Sequence, residues 1–320
     1  MNKVSLCLYA HQPNRLKRFY PLEGYLSELS RSLYFDIAQD YSVFMRMHYE
    51  KALNDVLEWL EQGNESICLY LSGTFIEQCG WFPELMKMLK RITKMAEPVC
   101  SPYYYSLSCS YPLLNEFCHQ VRRHISKIED TFGKTPSIFV NPHFVYSPGL
   151  SGVLGEMGIK YVISDVECDG VIPPRSNKED WSGGVIWMNI ASADLYSFSR
   201  ELEKRRLELV PISELADGRS INSGISSSKS INSTTTPLIH SSIELQSRLP
   251  IKNHAQHLFH FELSSLCTLA DSMSMFERDI YGRLQQFDIL LEMGSSSLNS
   301  TIYTLNALSI LSDFKRRIWR

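Results

Sequence analysis

Residues 138–165, reading IFVNPHFVYSPGLSGVLGEMGIKYVISD, constrain the fold more than any other stretch. Ile138, Phe139 and Val140 form an apolar run that Asn141-Pro142 stops, because proline cannot donate to a central ladder. Residues 146–149 (YSPG) are turn chemistry. Leu150, Val153, Leu154 and Met157 then recur at helical spacing, Gly158 caps that helix, and residues 159–163 make a second apolar strand ending at Ser164-Asp165. A strand, a short helix and a strand in this order is a crossover unit with parallel strands. Sites on such folds lie at the C-terminal strand ends, and His143 stands at one.

The pattern repeats along the chain. Residues 4–10 (VSLCLYA) are apolar almost without a break, as in a strand buried on both faces, and run into His11-Gln12-Pro13. Residues 41–61 carry Val43, Met47, Leu53, Val56, Leu57 and Leu60 on a helical stripe. A second buried strand, 66–71, ends in SGTFIEQ, where Glu77 reads as a helix-start carboxylate. Helices are predicted over 82–94 and 113–132, with His119 and His124 exposed on the second. Between them lie Tyr103, Tyr104 and Tyr105. Strand alternation predicts Tyr103 and Tyr105 on one face, either as sugar platforms or as core filling.

Residues 166–184 are polar and loop-like, and 185–189 form the last strand of this part. Residues 216–248 change character: about half are Ser, Thr or Asn, with little apolar periodicity, and such a stretch does not bury enough surface to order itself. From Asn253 onward the pattern is helical. Alternating strands and helices point to an α/β domain.

Composition closes several routes. Hydrophobic residues make up 44% of 320, enough for a large core. A net charge of −3 gives no reason to expect nucleic acid. The runs Lys204-Arg205-Arg206 and Lys315-Arg316-Arg317 read as solvated helix faces. Eight scattered cysteines without a CxxC pair fit a reducing compartment, so a cytoplasmic protein is expected. His11 and Pro13 interrupt any signal-like apolar core, and no apolar run is long enough to span a membrane, so no membrane partner is expected. No cofactor or metal is expected, and the oligomeric state is left open.

Several strings carry a family resemblance. HQPNRL at 11–16, SGT..EQ at 72–78, YY.SL at 103–107 and the unit around His143 resemble the glycoside hydrolase family 57 α-amylase-like proteins. So do Asn253-x-x-Gln256, RLQ..D at 283–288 and NAL..L.DF at 306–314. The resemblance spans nearly the whole chain and is tightest over 4–165. It implies an irregular (β/α)7 TIM-like barrel over 1–215, a linker over 216–250 and a C-terminal helical bundle over 251–320.

The resemblance also implies α-glucan or another oligosaccharide as ligand, with His11, Gln12, Arg15, Tyr103, Tyr105 and Asp165 as substrate-binding residues. In that family a Glu stands at the position of His143 and an Asp at that of Asn189, as nucleophile and acid/base. Ser101 and Tyr105 replace a Glu and a His, and Ile190 and Ala191 replace an aromatic residue and a Glu. Retaining hydrolysis needs two carboxyls about 5–5.5 Å apart, and Asn has no titrating proton. The expectation is therefore an amylase-like protein that lacks normal hydrolysis and keeps a glycan cleft. Two alternatives stand beside it. One is an active glycosidase or transglycosylase, using Asp165, Glu167 or Asp169, or a metal held by His11, His143 and Asp165. The other is a non-catalytic partner of an active amylase.

Overall fold

The computed structural model describes residues 2–63, 67–175, 181, 183–216, 219–221, 249–295 and 297–319. Nine strands run in chain order: β1 (Asn2–Ala10), β2 (Ile67–Leu71), β3 (Glu97–Cys100), β4 (Ile138–Val140), β5 (Tyr161–Ile163), β6 (Val171–Ile172), β7 (Pro174–Arg175), β8 (Val185–Asn189) and β9 (Leu207–Leu209). All pair in parallel, in the order β6-β5-β4-β3-β2-β1-β8-β7, with β9 added to β1.

The path nearly closes on itself. β6 and β7 are separated only by Pro173, yet β6 pairs with β5 and β7 with β8. The Ser164 N–H donates to the Ile172 carbonyl (3.1 Å) and the Val185 N–H to the Pro173 carbonyl (2.9 Å). Segment 171–175 thus bridges the two ends of the sheet, which makes a TIM-like barrel. These two short strands correct the expectation of an unbroken polar loop over 166–184. Two-residue strands around a proline leave no periodic signal to read.

The apolar strand pattern resolves into two layers by its period of two. Cys7, Cys68, Tyr70, Val99, Ile138, Val140, Ile163 and Val185 form one buried cluster, the filling of the barrel. Their neighbours Leu6, Leu8, Leu69, Phe139, Val162 and Ile186 belong to the other cluster, shared with the surrounding helices. Both faces of each strand are apolar because both are covered. All eight cysteines are free thiols.

The helix expected over 41–61 exists as Ala38–Met45 and Lys51–Glu61, joined by a π-helical turn at Arg46–Glu50. The Asn115–Phe132 helix shows a second correction. His124 is fully buried, on the same face as Phe117, Val121 and Ile128, and His119 is half-buried. The Nε2 of His124 lies 2.8 Å from the Leu71 carbonyl, so it carries the proton, and Nδ1 accepts the Ser101 N–H at 3.0 Å. Burial pushes the His124 imidazole down to about 4.

The C-terminal part is helical, as expected: His254–Ser265, Met275–Leu284, Phe287–Met293 and Leu298–Ile318. Asn253 and Gln256 form a capping box on the first and Ser274 and Glu277 on the second. The expectation for 216–248 falls on residues that, apart from 216 and 219–221, lie outside the described ones. Among the described residues no helix is long and apolar enough to cross a membrane.

His124 sets a pH dependence. Its folded value lies below the ordinary 6.5, so the neutral ring contributes stability that is complete above about pH 6.5. That contribution is lost as pH falls toward about 4, at most ~3 kcal/mol. Urea unfolding of wild type and His124→Gln between pH 7 and 4 should show a flatter acid limb in the variant.

Candidate functional site

The C-terminal strand ends bring together His11 from β1, Ser72 from β2, Tyr105 beyond β3, His143 beyond β4, Asp165 beyond β5 and Asn189 from β8. The bundle contributes Gln286, Phe287 and Asp288, whose arrival at this rim no local pattern announces. Phe287 N–H donates to the Tyr105 carbonyl (3.0 Å), and Ser106 and Gln286 form an isolated bridge.

His11 is the best-tethered residue of the group. Its Nε2 lies 2.7 Å from Asp288 Oδ2 and its Nδ1 2.8 Å from Ser72 Oγ. A carboxylate only accepts, so Nε2 donates to Asp288. In the neutral ring Nδ1 then accepts from the Ser72 hydroxyl, which also caps the Gly73–Cys79 helix by accepting the Phe75 N–H. The Tyr105 ring packs on the imidazole at 4.3 Å. Below it, the π-helical turn delivers Tyr49, whose hydroxyl reaches the His11 carbonyl at 3.4 Å.

His143 sits in a left-handed conformation, φ 53°, inside the Pro142–Phe144 turn. Phe144 (φ 56°) and Tyr105 (φ 55°) share this conformation, which is uncommon for non-glycine residues. The His143 side chain is exposed and stands edge-on to Phe287, ring centres 4.8 Å apart. Desolvation lowers its pKa, and the charge of Lys252 adds to the shift. Asn141 is buried and donates to the Val145 carbonyl (2.7 Å), holding the turn. Asn189 is half-buried and its Oδ1 accepts the Ala191 N–H at 2.8 Å. Asp165 is exposed beside Ser164, whose hydroxyl donates to the Phe144 carbonyl at 2.7 Å.

Aromatic rings floor the mouth. Trp187 stacks on Tyr9 (5.1 Å) and Tyr70 (5.8 Å), and Phe144 meets it edge-on at 5.5 Å. None of these rings is singled out by sequence. The usable signal is register: Tyr9 pairs with Tyr70, and both alternate with outward leucines.

Other candidate residues lie in different surroundings. Tyr103 is buried under the Arg123 guanidinium (4.2 Å) and against Tyr104. The expectation that Tyr103 and Tyr105 share a face does not hold. β3 ends at Cys100, and the left-handed Tyr105 breaks the alternation. Arg15 is exposed and lies over the Phe44 ring at 4.7 Å. Gln12 is buried, and its carbonyl accepts from Thr74 Oγ1 (3.2 Å) and Gln78 Nε2 (3.3 Å). Glu77 is ion-paired with Arg283 at 2.7 Å and Arg31 at 3.0 Å. Asp169 faces Arg219 at 3.4 Å. Among the described residues no three His, Cys, Asp or Glu side chains converge on a metal site, so His11, His143 and Asp165 do not form the alternative ligand set.

Residues 5–216 match the sequence model of glycosyl hydrolase family 57, and the chain belongs to that family. A protein of Methanocaldococcus jannaschii named "Putative alpha-amylase" is 21% identical over 161 residues, covering 48% of this chain and 34% of that protein. The crystal structure of 4-alpha-glucanotransferase from Thermococcus litoralis superposes on 99% of the chain and 60% of its own length, with a TM-score of 0.58 at 12% identity, a likeness of fold. The chain therefore spans about a third of the one relative and 60% of the other.

His11 ties the barrel to the bundle. His11→Ala should leave Asp288 and Ser72 without their partner and lower stability by about 1–3 kcal/mol. Denaturant unfolding checks this.

Proposed function

We propose that the chain is an amylase-like glycan-binding protein without normal glycoside hydrolase activity. The observation that carries this reading is the chemistry at the ends of β4 and β8. His143 and Asn189 stand where the family resemblance places a Glu nucleophile and an Asp acid/base. Neither is a carboxyl, and the Asn189 oxygen is already committed to the Ala191 N–H. Losing both members of a pair that acts as a unit removes most of the rate enhancement. The aromatic floor and polar rim fit a ligand that stacks and hydrogen-bonds without being cut.

Purified protein incubated with starch, maltooligosaccharides or pullulan should release no sugar above background. Turnover that disappears in His143→Ala would overturn the reading.

Restoring the carboxyls, by His143→Glu with Asn189→Asp, should recover little activity. Catalytic pairs must be held to within about 0.5 Å by their support. Here Ser101 is buried on the Tyr70 hydroxyl at 2.9 Å, Tyr105 lies on His11, and Ile190 is buried. Each missing supporting contact costs about 10- to 100-fold. Sugar release by the double variant near the rate of an active relative would count against an eroded site.

A further inference from the structure

The short helix Pro21–Leu26 carries its apolar stripe on the outside. Its one buried residue is Gly24, whereas Leu22, Tyr25 and Leu26 are 73%, 72% and 82% exposed. Those three are spaced i, i+3 and i+4, so they share one helix face. The inward side shows why that face points to solvent. A Cβ on Gly24 would fall 2.5 Å from the Phe19 ring and 3.1 Å from the Asp313 carboxylate. The Arg317 guanidinium donates to the Gly24 carbonyl and, at 3.1 Å, to that of Ser27. Asn306 accepts the Phe19 N–H at 2.8 Å and donates to the Lys17 carbonyl at 3.0 Å. Arg316 lies over the Tyr25 ring at 4.4 Å. The Leu298–Ile318 helix thus grips segment 17–27 from behind and holds the stripe outward. Tyr20, and Ile302 and Leu305 on the gripping helix, are exposed as well. Large apolar side chains held in water on one face mark an interaction surface.

The flanking charges say what fits it. Lys17 and Arg18 are exposed at one end, Glu28 at the other, and Glu23 lies beside the stripe. Among the described residues none of these four side chains is ion-paired. Their charges cancel, which disfavours an anionic lipid surface, since that draws a basic face. A basic end and an acidic end around an apolar centre complement a second copy of themselves about a two-fold axis. We propose that the chain forms a two-fold dimer through the outer face of residues 17–28. With the axis level with residue 24 and the two helices antiparallel, Leu22 meets Leu26 of the partner subunit. Arg18, which lies over Tyr20 at 5.2 Å, then meets Glu28 of the partner subunit. The apolar centre supplies the affinity, and the charge pair at each end fixes the register.

Sedimentation velocity on the full chain across a range of concentrations tests this. The wild type should pass from monomer to dimer as concentration rises. Leu26→Glu should weaken the dimer at least about a hundredfold, and Arg18→Glu and Glu28→Arg about tenfold each. All three positions are exposed, so the far-UV circular dichroism of each variant should match wild type. Mixing Arg18→Glu chains with Glu28→Arg chains sets opposite charges across both ends again, and the mixed dimer should recover wild-type affinity. A wild type that stays monomeric up to its solubility limit would overturn the inference. So would a dimer indifferent to Leu26→Glu, or a mixture no tighter than its components. Binding of a monomeric wild type to phosphatidylserine vesicles, lost in Leu26→Glu, would assign the stripe to a membrane surface instead.

Discussion

The buried guanidinium of Arg283 is the interaction on which the arrangement of the site depends. It is 1% exposed and lies in the bundle, yet its partners span the interface. It reaches Asn14 beyond β1 (2.6 Å), both carboxylate oxygens of Glu77 beyond β2 (2.7 Å each) and Asp279 on its own helix (2.9 Å). Burying a charge is offset only when every donor finds a partner, and here Arg31, Arg123 and Tyr104 complete the shell around Asp279. The helix comes so close to Tyr104 that a Cβ on Gly282 would fall 2.0 Å from that ring. With Arg283 fixed, the next residues have little freedom. Gln286 bonds Asn14, Phe287 reaches Tyr105 and Asp288 reaches His11. The mouth is thus a product of the clamp between barrel and bundle.

That clamp also accounts for the strained backbone at the strand ends. Tyr105, His143 and Phe144 are left-handed at about 1–2 kcal/mol each. Such conformations persist only where the surroundings over-determine them. Tyr105 is held by His11, Phe287 and the bridge to Gln286; His143 and Phe144 are held by Asn141, Phe287 and Ser164. The bend after β4 turns Phe144 onto Trp187 and leaves His143 at the surface.

These contacts divide what the sequence reveals from what it hides. β1, β2 and β8 are legible because both faces are covered and the apolar runs are long. The capping box at Asn253 is legible because its residues are three apart. β6 and β7 are not, since two residues on either side of Pro173 have no period. The burial of His124 follows from its place on the 117–121–128 stripe, although its polar residue type points the other way. Alternation does not place Tyr105, because it assumes extended backbone and Tyr105 is left-handed. The His11–Asp288 bond joins residues 277 apart, and no local pattern assigns Asp288 to the site. The residues that fill the barrel follow from local pattern, whereas the residues that shape its mouth follow from long-range contacts.

That His143 and Asn189, rather than two carboxyls, stand at these strand ends has a consequence for stability that is separate from catalysis. Two carboxyls about 5 Å apart in a partly dry site repel each other, and one of them is forced to take up a proton. Sites built for chemistry carry such unfavourable pairs, and removing them commonly stabilises the fold. A neutral imidazole and an amide lift that constraint. The amide gains a local bond to Ala191, and the imidazole packs on Phe287. The tethered His11, the stacked Trp187 and the left-handed turn at His143 hold the mouth in shape through contacts of their own.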